Sequence, residues 1–477
     1  MLFLVSIIYG FYFMFIIGLS RPLLIILSFY LLTLIFNLLI LIQNRHSEAK
    51  LSWIIVMTIF PVFGHIIFII FGQRYKNRIS KNDYYKKETF KLEKFNNKND
   101  LIIQKKQSEI SHRGIYSANI KIHRREQDIF NALFNDIKNA NKFIHINYYI
   151  LKPGEIYEHF KKILIKKAAQ GVEIRFIVDD FGRWAMPWYE IKELEESGIR
   201  VAIFGKVYFP FIGSENGYRN HRKMVIIDGE KVHAGGINIA DEYANLNKTY
   251  GVWLDYQSII TGEAVRSYSL LFIDDWQIVK KEKLDPKKYV LETTGGNSRN
   301  ILVEDSPEIN ENIIEKSIVQ WILNAEKSIK LTTPYFVPSH EIISALKTAA
   351  MSGVDITIYI PGKPDKKIVL IVSKYNASIL SKYGIKFKET KDILIHSKIG
   401  VFDDCYAYFG TANIDLRSFY SQFEFLNLVS GPVIQEVNNL FEFYDKFAED
   451  MVFKPINKFS LKGFLTRLAV FIFSPIM

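Results

Sequence analysis

Apolar residues fall very unevenly along this chain. Residues 2–19 and 23–42 are almost purely apolar, separated only by Ser20, Arg21 and Pro22, and a third apolar run covers 51–71. A helix needs about 20 apolar residues to cross the hydrocarbon core of a bilayer, so each run predicts a span or close to one. A cleaved signal peptide is the competing reading. No Lys or Arg precedes Arg21, however, so its basic leading region is missing. Core helices of soluble proteins seldom run this long without a charged face. Residues 1–72 therefore read as a transmembrane region of two or three spans, with the role of 2–19 (spanning, re-entrant or interfacial) left open. Residues 73–114 are rich in Lys, Asn and Asp without apolar periodicity and read as a solvated basic linker.

Beyond residue 114 the pattern changes to short β-rich apolar stretches alternating with helical ones, and it is written twice. KFIHINYYI at 142–150 is followed by a helical pattern ending in AAQGVEIRFIVDD at 168–180. SIKLTTPYF at 328–336 is followed by a helical pattern ending in AAMSGVDITIYIP at 349–361. Strand, helix, Gly and strand in that order is the signature of an α/β sheet, and its recurrence argues for duplication. Two domains are expected, 115–300 and 301–455, followed by an apolar C-terminal segment, 456–477, that either lies in the membrane interface or docks as a terminal helix.

Charge adds an orientation. The chain of 477 residues carries 61 Lys+Arg against 50 Asp+Glu, a formal net charge of +11, which favours anionic partners: a membrane surface, a phosphate-bearing substrate or nucleic acid. Arg74, Lys76, Arg78, Lys81, Lys86, Lys87 and Lys91 lie within about 20 residues of the last apolar run, the window in which basic residues bias topology toward the cytoplasm. Arg45 and Lys50 act mildly against that orientation. The single cysteine, Cys405, excludes an intramolecular disulfide framework and a Cys-based zinc cluster.

The chemistry sits in a repeated motif. His221-Arg-Lys223-Met-Val-Ile-Ile-Asp228 leads to Gly235-Gly-Ile-Asn238, and His396-Ser-Lys398-Ile-Gly-Val-Phe-Asp403 leads to Gly410-Thr-Ala-Asn413. Both read H-x-K-x4-D-x6-G-x-x-N. Side chains at i and i+2 of a strand share a face, so each His points with its Lys. Asp228-Gly229 and Asp403-Asp404 are turn signals, which makes each motif a hairpin whose second strand returns the Asn toward the His-Lys pair. A phosphodiester reaction needs neutralisation of the non-bridging oxygens, a nucleophile and a leaving-group acid. Two Lys and two Asn supply the first, and two His supply the others. No metal is required if the lysines neutralise the phosphate, and neither an H-E-x-x-H nor a Cys/His zinc spacing occurs.

The paired motif resembles that of the phospholipase D superfamily, and the flanking phrases are similar to bacterial cardiolipin synthases. Those phrases are Arg219-Asn-His-Arg-Lys223, Gly235-Gly-Ile-Asn-Ile239 with Asp241-Glu-Tyr243, Gly410-Thr-Ala-Asn-Ile-Asp415 with Arg417-Ser-Phe419, and the N-terminal layout with Phe-Pro-Val-Phe-Gly at 60–64. The resemblance implies an α/β fold of two phospholipase D-like domains in a pseudo-twofold pair, behind N-terminal transmembrane helices, in a bacterial cell membrane. It implies transfer of a phosphatidyl group between two phosphatidylglycerol molecules through a phosphohistidine, without a cofactor or metal. His221 would be the nucleophile and His396 the acid/base. Lys223, Lys398, Asn238 and Asn413 would hold phosphate oxygens, and Asp228 and Asp403 would complete the motifs with a role as much structural as catalytic. An acid after each motif, Asp255 and Glu424, would orient its histidine. Two departures stand out: Trp253-Leu-Asp-Tyr-Gln257 where Trp-Arg-Asp and a Thr-His pair are expected, and Ser421-Gln-Phe-Glu where Leu-Asn-Phe-Glu is expected. The expected partners are phosphatidylglycerol and the anionic bilayer, not nucleic acid, and the oligomeric state is open. Hydrolysis, transfer to another alcohol and a membrane-tethered nuclease are the alternatives. The aromatic stretches 181–189 and 207–212 are read either as acyl-chain contacts or as core.

Overall fold

The computed structural model describes residues 21–43, 47–72, 102–207, 217–308 and 311–453, with Arg467 and Val470. The 2–19 run, Arg45, the basic cluster from Arg74 to Lys91, all of 207–212 except Val207, and nearly all of 456–477 lie outside the described residues.

Among the described residues each copy contributes seven strands to the main sheet, besides shorter strands off its path. In the first they are β1 (Tyr116–His123), β2 (Phe143–Tyr148), β3 (Glu173–Asp179), β4 (Arg200–Phe204), β5 (Met224–Ile227), β6 (Lys231–Gly235) and β7 (Gln257–Thr261). In the second they are β8 (Ser298–Asp305), β9 (Ser328–Thr332), β10 (Asp355–Pro361), β11 (Lys386–Thr390), β12 (Ile399–Phe402), β13 (Tyr406–Gly410) and β14 (Gln422–Ser430). They join in one sheet in the order β4-β3-β2-β5-β6-β7-β1-β8-β14-β13-β12-β9-β10-β11. Read outward from the β1–β8 seam, the two halves repeat the same order, which is the expected pseudo-twofold pair. A last short strand, Ala448–Asp450, extends the edge beside β11. Strands β2, β3 and β4 run parallel and the others antiparallel to their neighbours, with the same pattern in β9, β10 and β11.

Helices cover both faces. Before that layer come α1 (Arg21–Leu41), α2 (Ser47–Ile59) and α3 (Phe63–Phe71). The first copy then has α4 (Glu126–Lys138), α5 (Glu155–Ala169), α6 (Trp188–Glu196) and α7 (Val265–Lys280), and the second α8 (Ile313–Leu323), α9 (His340–Met351), α10 (Lys367–Leu380) and α11 (Val433–Asp445). On one face each copy has its own core, around Phe160, Leu164 and Phe176 in the first and Trp321, Leu346 and Ile358 in the second. On the other face a single core, including Tyr268, Phe272, Phe425 and Phe441, runs from α7 to α11 across both copies. The halves are therefore fused through sheet and core alike. Gly171 and Gly353, the repeated glycines after α5 and α9, sit at φ 87° and 92°, where a left-handed residue closes the helix and redirects the chain into the next strand.

Among the described residues the apolar N-terminal pattern resolves into three helices. Among the described residues one, within α1 at Leu23–Leu41, is long and apolar enough to cross a membrane, and only 11% of that window is buried inside the molecule. The 51–71 run is not one helix. It breaks at Phe60-Pro61-Val62 into α2 and α3, and Gly64 lets them close up: a Cβ there would lie 2.7 Å from the Val56 carbonyl oxygen. Ile40, Trp53, Met57 and Phe68 form the small core of this region.

The basic linker also ends earlier than expected. Residues Ile102–Ser111 form a helix that buries Ile103 and Gln107, and Gln107 donates to Ser317 Oγ at 2.9 Å. Its apolar residues are too few to reveal a helix, and its buried polar ones find partners on α8 or nearby: Gln107 at Ser317, Ser108 at the Arg113 carbonyl and Ser111 at the Gln107 carbonyl.

Candidate active site

Each motif histidine sits just before a hairpin, at the seam between the copies. The two-residue strand Arg219–Asn220 pairs in parallel with the start of β14, Arg219 opposite Gln422 and Asn220 opposite Phe423. The next step in that register sets His221 opposite Glu424. Likewise Ile393–Ile395 pairs in parallel with Val252–Leu254, and the next step sets His396 opposite Asp255. Backbone bonds hold both alignments: His221 N–H donates to the Phe423 carbonyl at 3.0 Å and His396 N–H to the Leu254 carbonyl at 2.8 Å. His221 Nδ1 then lies 2.8 Å from Glu424 Oε1, and His396 Nδ1 lies 2.7 Å from Asp255 Oδ2.

The acids thus cross over. Each follows the motif of its own copy in sequence yet orients the histidine of the other, which corrects the expectation that an acid serves the motif preceding it. The reason is topological. The strand that carries each acid, β14 or the segment before β7, runs at the seam, where its nearest histidine belongs to the other half.

With Nδ1 held by a carboxylate, Nε2 is the ring nitrogen of each histidine that no carboxylate holds. Both rings line one cavity of about 460 Å³, together with Tyr149, Tyr243, Trp253, Tyr335, Asn413 and Arg417. Tyr149 packs edge-on to His221 with ring centres 4.9 Å apart, and Trp253 lies 4.7 Å from His396. Trp253 keeps this place although Leu254 stands where the resemblance predicts arginine. These aromatic walls were not singled out from the sequence, in which 37 Phe and 26 Tyr offer no contrast.

Burial sets the electrostatics. Lys398 Nζ lies 2.9 and 3.1 Å from the two ring nitrogens of His396, and burial pulls its pKa down to about 8. Lys223 is fully buried, donates to the His221 carbonyl and lies 5.3 Å from the centre of the Tyr149 ring. Burial holds its ammonium well below the usual lysine range. His221 is held well below the usual imidazole range by burial and then by the charges of Lys223 and Lys398. Burial and Lys398 bring His396 down to about 4, against the opposing pull of Asp255. The two acids differ. Burial raises Glu424 to about 7. Burial also opposes ionisation of Asp255, but its bond to His396 and the charge of Lys398 outweigh it and hold the carboxyl below the ordinary value.

The motif aspartates do not enter the cavity. Asp228 and Gly229 at φ 54° and 71°, and Asp403 and Asp404 at 54° and 51°, form the left-handed hairpin turns. The Asp228 carboxylate accepts the N–H groups of Asn141, Lys142 and Phe143 at 2.8, 2.7 and 3.0 Å. That of Asp403 accepts those of Glu326, Lys327 and Ser328 at 2.8, 2.7 and 2.8 Å. Each therefore ties its hairpin to the entry of β2 or β9, four strand residues from the site, or about 13 Å at the usual rise. Their role is structural.

The asparagines divide. Asn413 lines the cavity and donates to Asp415 Oδ2 at 3.1 Å. Asn238 lies behind it, accepting from Ile150 N–H at 2.9 Å and donating to the Tyr243 hydroxyl at 2.7 Å, so the group it presents to the cavity is that hydroxyl. Among the aromatic stretches, Phe181 lines the cavity and is 49% exposed, while Trp184, Trp188 and Tyr189 are exposed beside it rather than core. Among the described residues no cluster of His, Cys, Asp and Glu has the arrangement of a metal site.

Comparison with known proteins gives the family of the chain. The family described as "Cardiolipin synthase, PLD-like domain" matches residues 133–276 and 318–444, and "Phospholipase_D-nuclease N-terminal" matches 25–73. A cardiolipin synthase of Halalkalibacterium halodurans is 33% identical over 414 residues, covering 82% of each chain. One from Geobacillus kaustophilus is 34% identical over 409 residues, covering 81% of this chain and 80% of its own. Among solved structures, phosphatidylserine synthase of Haemophilus influenzae superposes with a TM-score of 0.62, covering 79% of this chain and 100% of that one. At 13% identity that likeness is one of fold. The chain belongs to the cardiolipin synthase family of the phospholipase D superfamily.

Proposed function

We propose that this protein joins two phosphatidylglycerol molecules into cardiolipin and glycerol by two displacements at phosphorus. The observation that carries the reading is that two histidines, each anchored at Nδ1 by a buried carboxylate, open into one aromatic-walled cavity. Nε2 of one histidine attacks phosphorus and the bond to the glycerol oxygen breaks. The other histidine gives that oxygen its proton, and glycerol leaves. The same histidine then takes the proton of a hydroxyl on a second phosphatidylglycerol. That oxygen attacks phosphorus, the P–N bond breaks, and the first histidine is restored.

The acids support a division of labour. His396 faces a carboxylate held ionised, which stabilises an imidazolium and suits the proton carrier. His221 faces a carboxyl with pKa about 7 and is itself strongly disfavoured from protonation, which suits a nucleophile that must present a neutral ring. Lys223, Lys398 and Asn413 neutralise and position the phosphate. The apolar window of α1 supports a membrane anchor; the further apolar run at 2–19 is long enough for a second crossing, and the basic residues after position 72 favour the catalytic halves on the cytoplasmic side.

Detergent-purified protein incubated with phosphatidylglycerol and EDTA should yield cardiolipin and an equal amount of glycerol by mass spectrometry. His221→Ala or His396→Ala should lower the rate by about a thousandfold or more, the scale of removing a nucleophile or its acid. Phosphatidic acid alone would establish hydrolysis instead.

A further inference from the structure

The cavity proposed to receive an anionic phosphodiester also holds carboxylates, and one of them keeps an oxygen without a protein partner among the described residues. Three carboxylate residues line it away from the histidine-anchoring pair: Glu242, Asp365 and Asp415. Glu242 is paired with Lys152. Asp415 accepts from Ser418 N–H at 2.6 Å and from Asn413 Nδ2. Asp365 uses only Oδ2, which accepts from the Tyr335 hydroxyl. Its Oδ1 is buried and has no hydrogen-bond partner among the described residues. Asn413 Oδ1, in a residue that also lines the cavity, is likewise buried and without a hydrogen-bond partner among the described residues. Tyr335 stays protonated, because burial and the neighbouring carboxylate push its hydroxyl far above the usual range, so it remains a donor that fixes the Asp365 carboxylate.

Unpaired buried acceptors cost free energy unless a ligand supplies donors. A phosphodiester offers oxygens that only accept, so these two atoms do not serve the phosphate. The alcohol does carry donors. Asp365 also belongs to the acid/base side: its charge acts on His396, Lys398 and Tyr243. The leaving glycerol and the attacking hydroxyl must both meet that histidine, so both occupy the same place. The loop after β3 in the first copy presents Phe181 to the cavity instead of a carboxylate, so the donor-seeking feature lies on one side only.

We infer that Asp365, held by Tyr335 and aided by Asn413, forms a subsite for a polyhydric alcohol, accepting a hydroxyl adjacent to the one that reacts. The subsite rests on the reading of this protein as a phosphatidyltransferase and names what selects its alcohol. Bound there, a vicinal diol donates its second hydroxyl to the orphan Asp365 Oδ1 while its neighbouring hydroxyl faces His396. Water and monohydric alcohols lack the second hydroxyl and gain nothing from the contact.

The test is partition of the phosphatidyl-enzyme. Full-length protein in detergent receives phosphatidylglycerol with 13C-glycerol and propan-1-ol in competition, and mass spectrometry measures labelled phosphatidylglycerol against phosphatidylpropanol. Asp365→Asn keeps the shape and the Tyr335 contact but turns an amide donor toward the cavity. The glycerol-to-propanol ratio should fall about tenfold, the scale of one hydrogen bond to a charged group. Tyr335→Phe, which frees the carboxylate to swing, should lower the ratio by a smaller factor. Both products derive from one intermediate, so a slower first step or partial unfolding lowers both and leaves the ratio intact. A ratio unchanged in Asp365→Asn overturns the subsite while leaving transphosphatidylation standing. Absence of both products in the unmodified protein overturns the transferase reading and the subsite with it.

Discussion

Single residues set the working pH of the site. Lys398, with its pKa lowered to about 8 by burial, loses its charge as pH rises through that value. The ratio kcat/KM for phosphatidylglycerol should therefore fall above pH about 8, and Lys398→Arg, though slower, should lose that limb because a guanidinium stays charged. A steady-state pH profile of both proteins checks it. His145 makes the opposite kind of prediction. It is fully buried in β2, stacked on Phe272 with ring centres 4.2 Å apart, and neither ring nitrogen has a partner among the described residues. Burial holds its folded pKa well below the ordinary 6.5. The unfolded chain then binds the extra proton first, so stability is lost as pH falls below about 6.5. His145→Phe should raise the thermal midpoint more at pH 5.5 than at pH 8, by the equivalent of about 1.4 kcal/mol, the cost of one unfolded-state protonation about one pH unit below 6.5. The sequence shows where such residues lie but not what surrounds them. His221, Lys223, His396 and Lys398 were legible because they recur at fixed spacing. Asp365 was not, since a lone acid after a proline reads as an ordinary turn.

At the level of elements, the loop after β3 brings Phe181 to the rim of the cavity, with Trp184 packed edge-on against it. Trp184, Trp188 and Tyr189 are 62%, 63% and 67% exposed, and Arg183 stacks on Trp188 at 4.0 Å. Indole and phenol rings favour the headgroup layer of a bilayer, so this rim suits a site that takes lipids from the membrane plane. The double variant Trp184→Ser, Trp188→Ser should lower turnover on phosphatidylglycerol vesicles several-fold, while turnover of short-chain phosphatidylglycerol below its critical micelle concentration changes little. Equal losses in both assays would place these residues in the chemistry or the folding instead. The repeated strand-helix-Gly-strand order was readable because glycine at a helix end has a geometric cause. The Ile102–Ser111 helix was hidden because its stability comes from α8 and β8, distant in sequence, rather than from its own pattern.

For the whole molecule, the seam is the functional unit. Arg113 and Glu304 form a buried pair at 2.7 Å beside it, and β1 pairs with β8 across it. The crossed acids predict that damage to one half is felt in the other. Glu424→Gln should depress the chemistry of His221, and Asp255→Asn that of His396, and the double variant should lose far less than the product of the two because the histidines act in series. Rapid-quench detection of the phosphatidyl-enzyme separates them: Asp255→Asn should accumulate it if the second displacement becomes limiting, and Glu424→Gln should not. Duplication, hairpins and the two histidines were visible in the sequence. The crossing was not, because register between strands of different halves is fixed only when both are folded.

That exchange also constrains descent. A chain of half this length, built on the same register, could not orient its own histidine; it would work only as a pair of identical molecules trading acids, and its activity would fall with dilution. Joining the copies in one polypeptide removes the dependence on concentration and frees the two partners to become unlike. They have done so: one histidine is now anchored by an aspartate and the other by a glutamate.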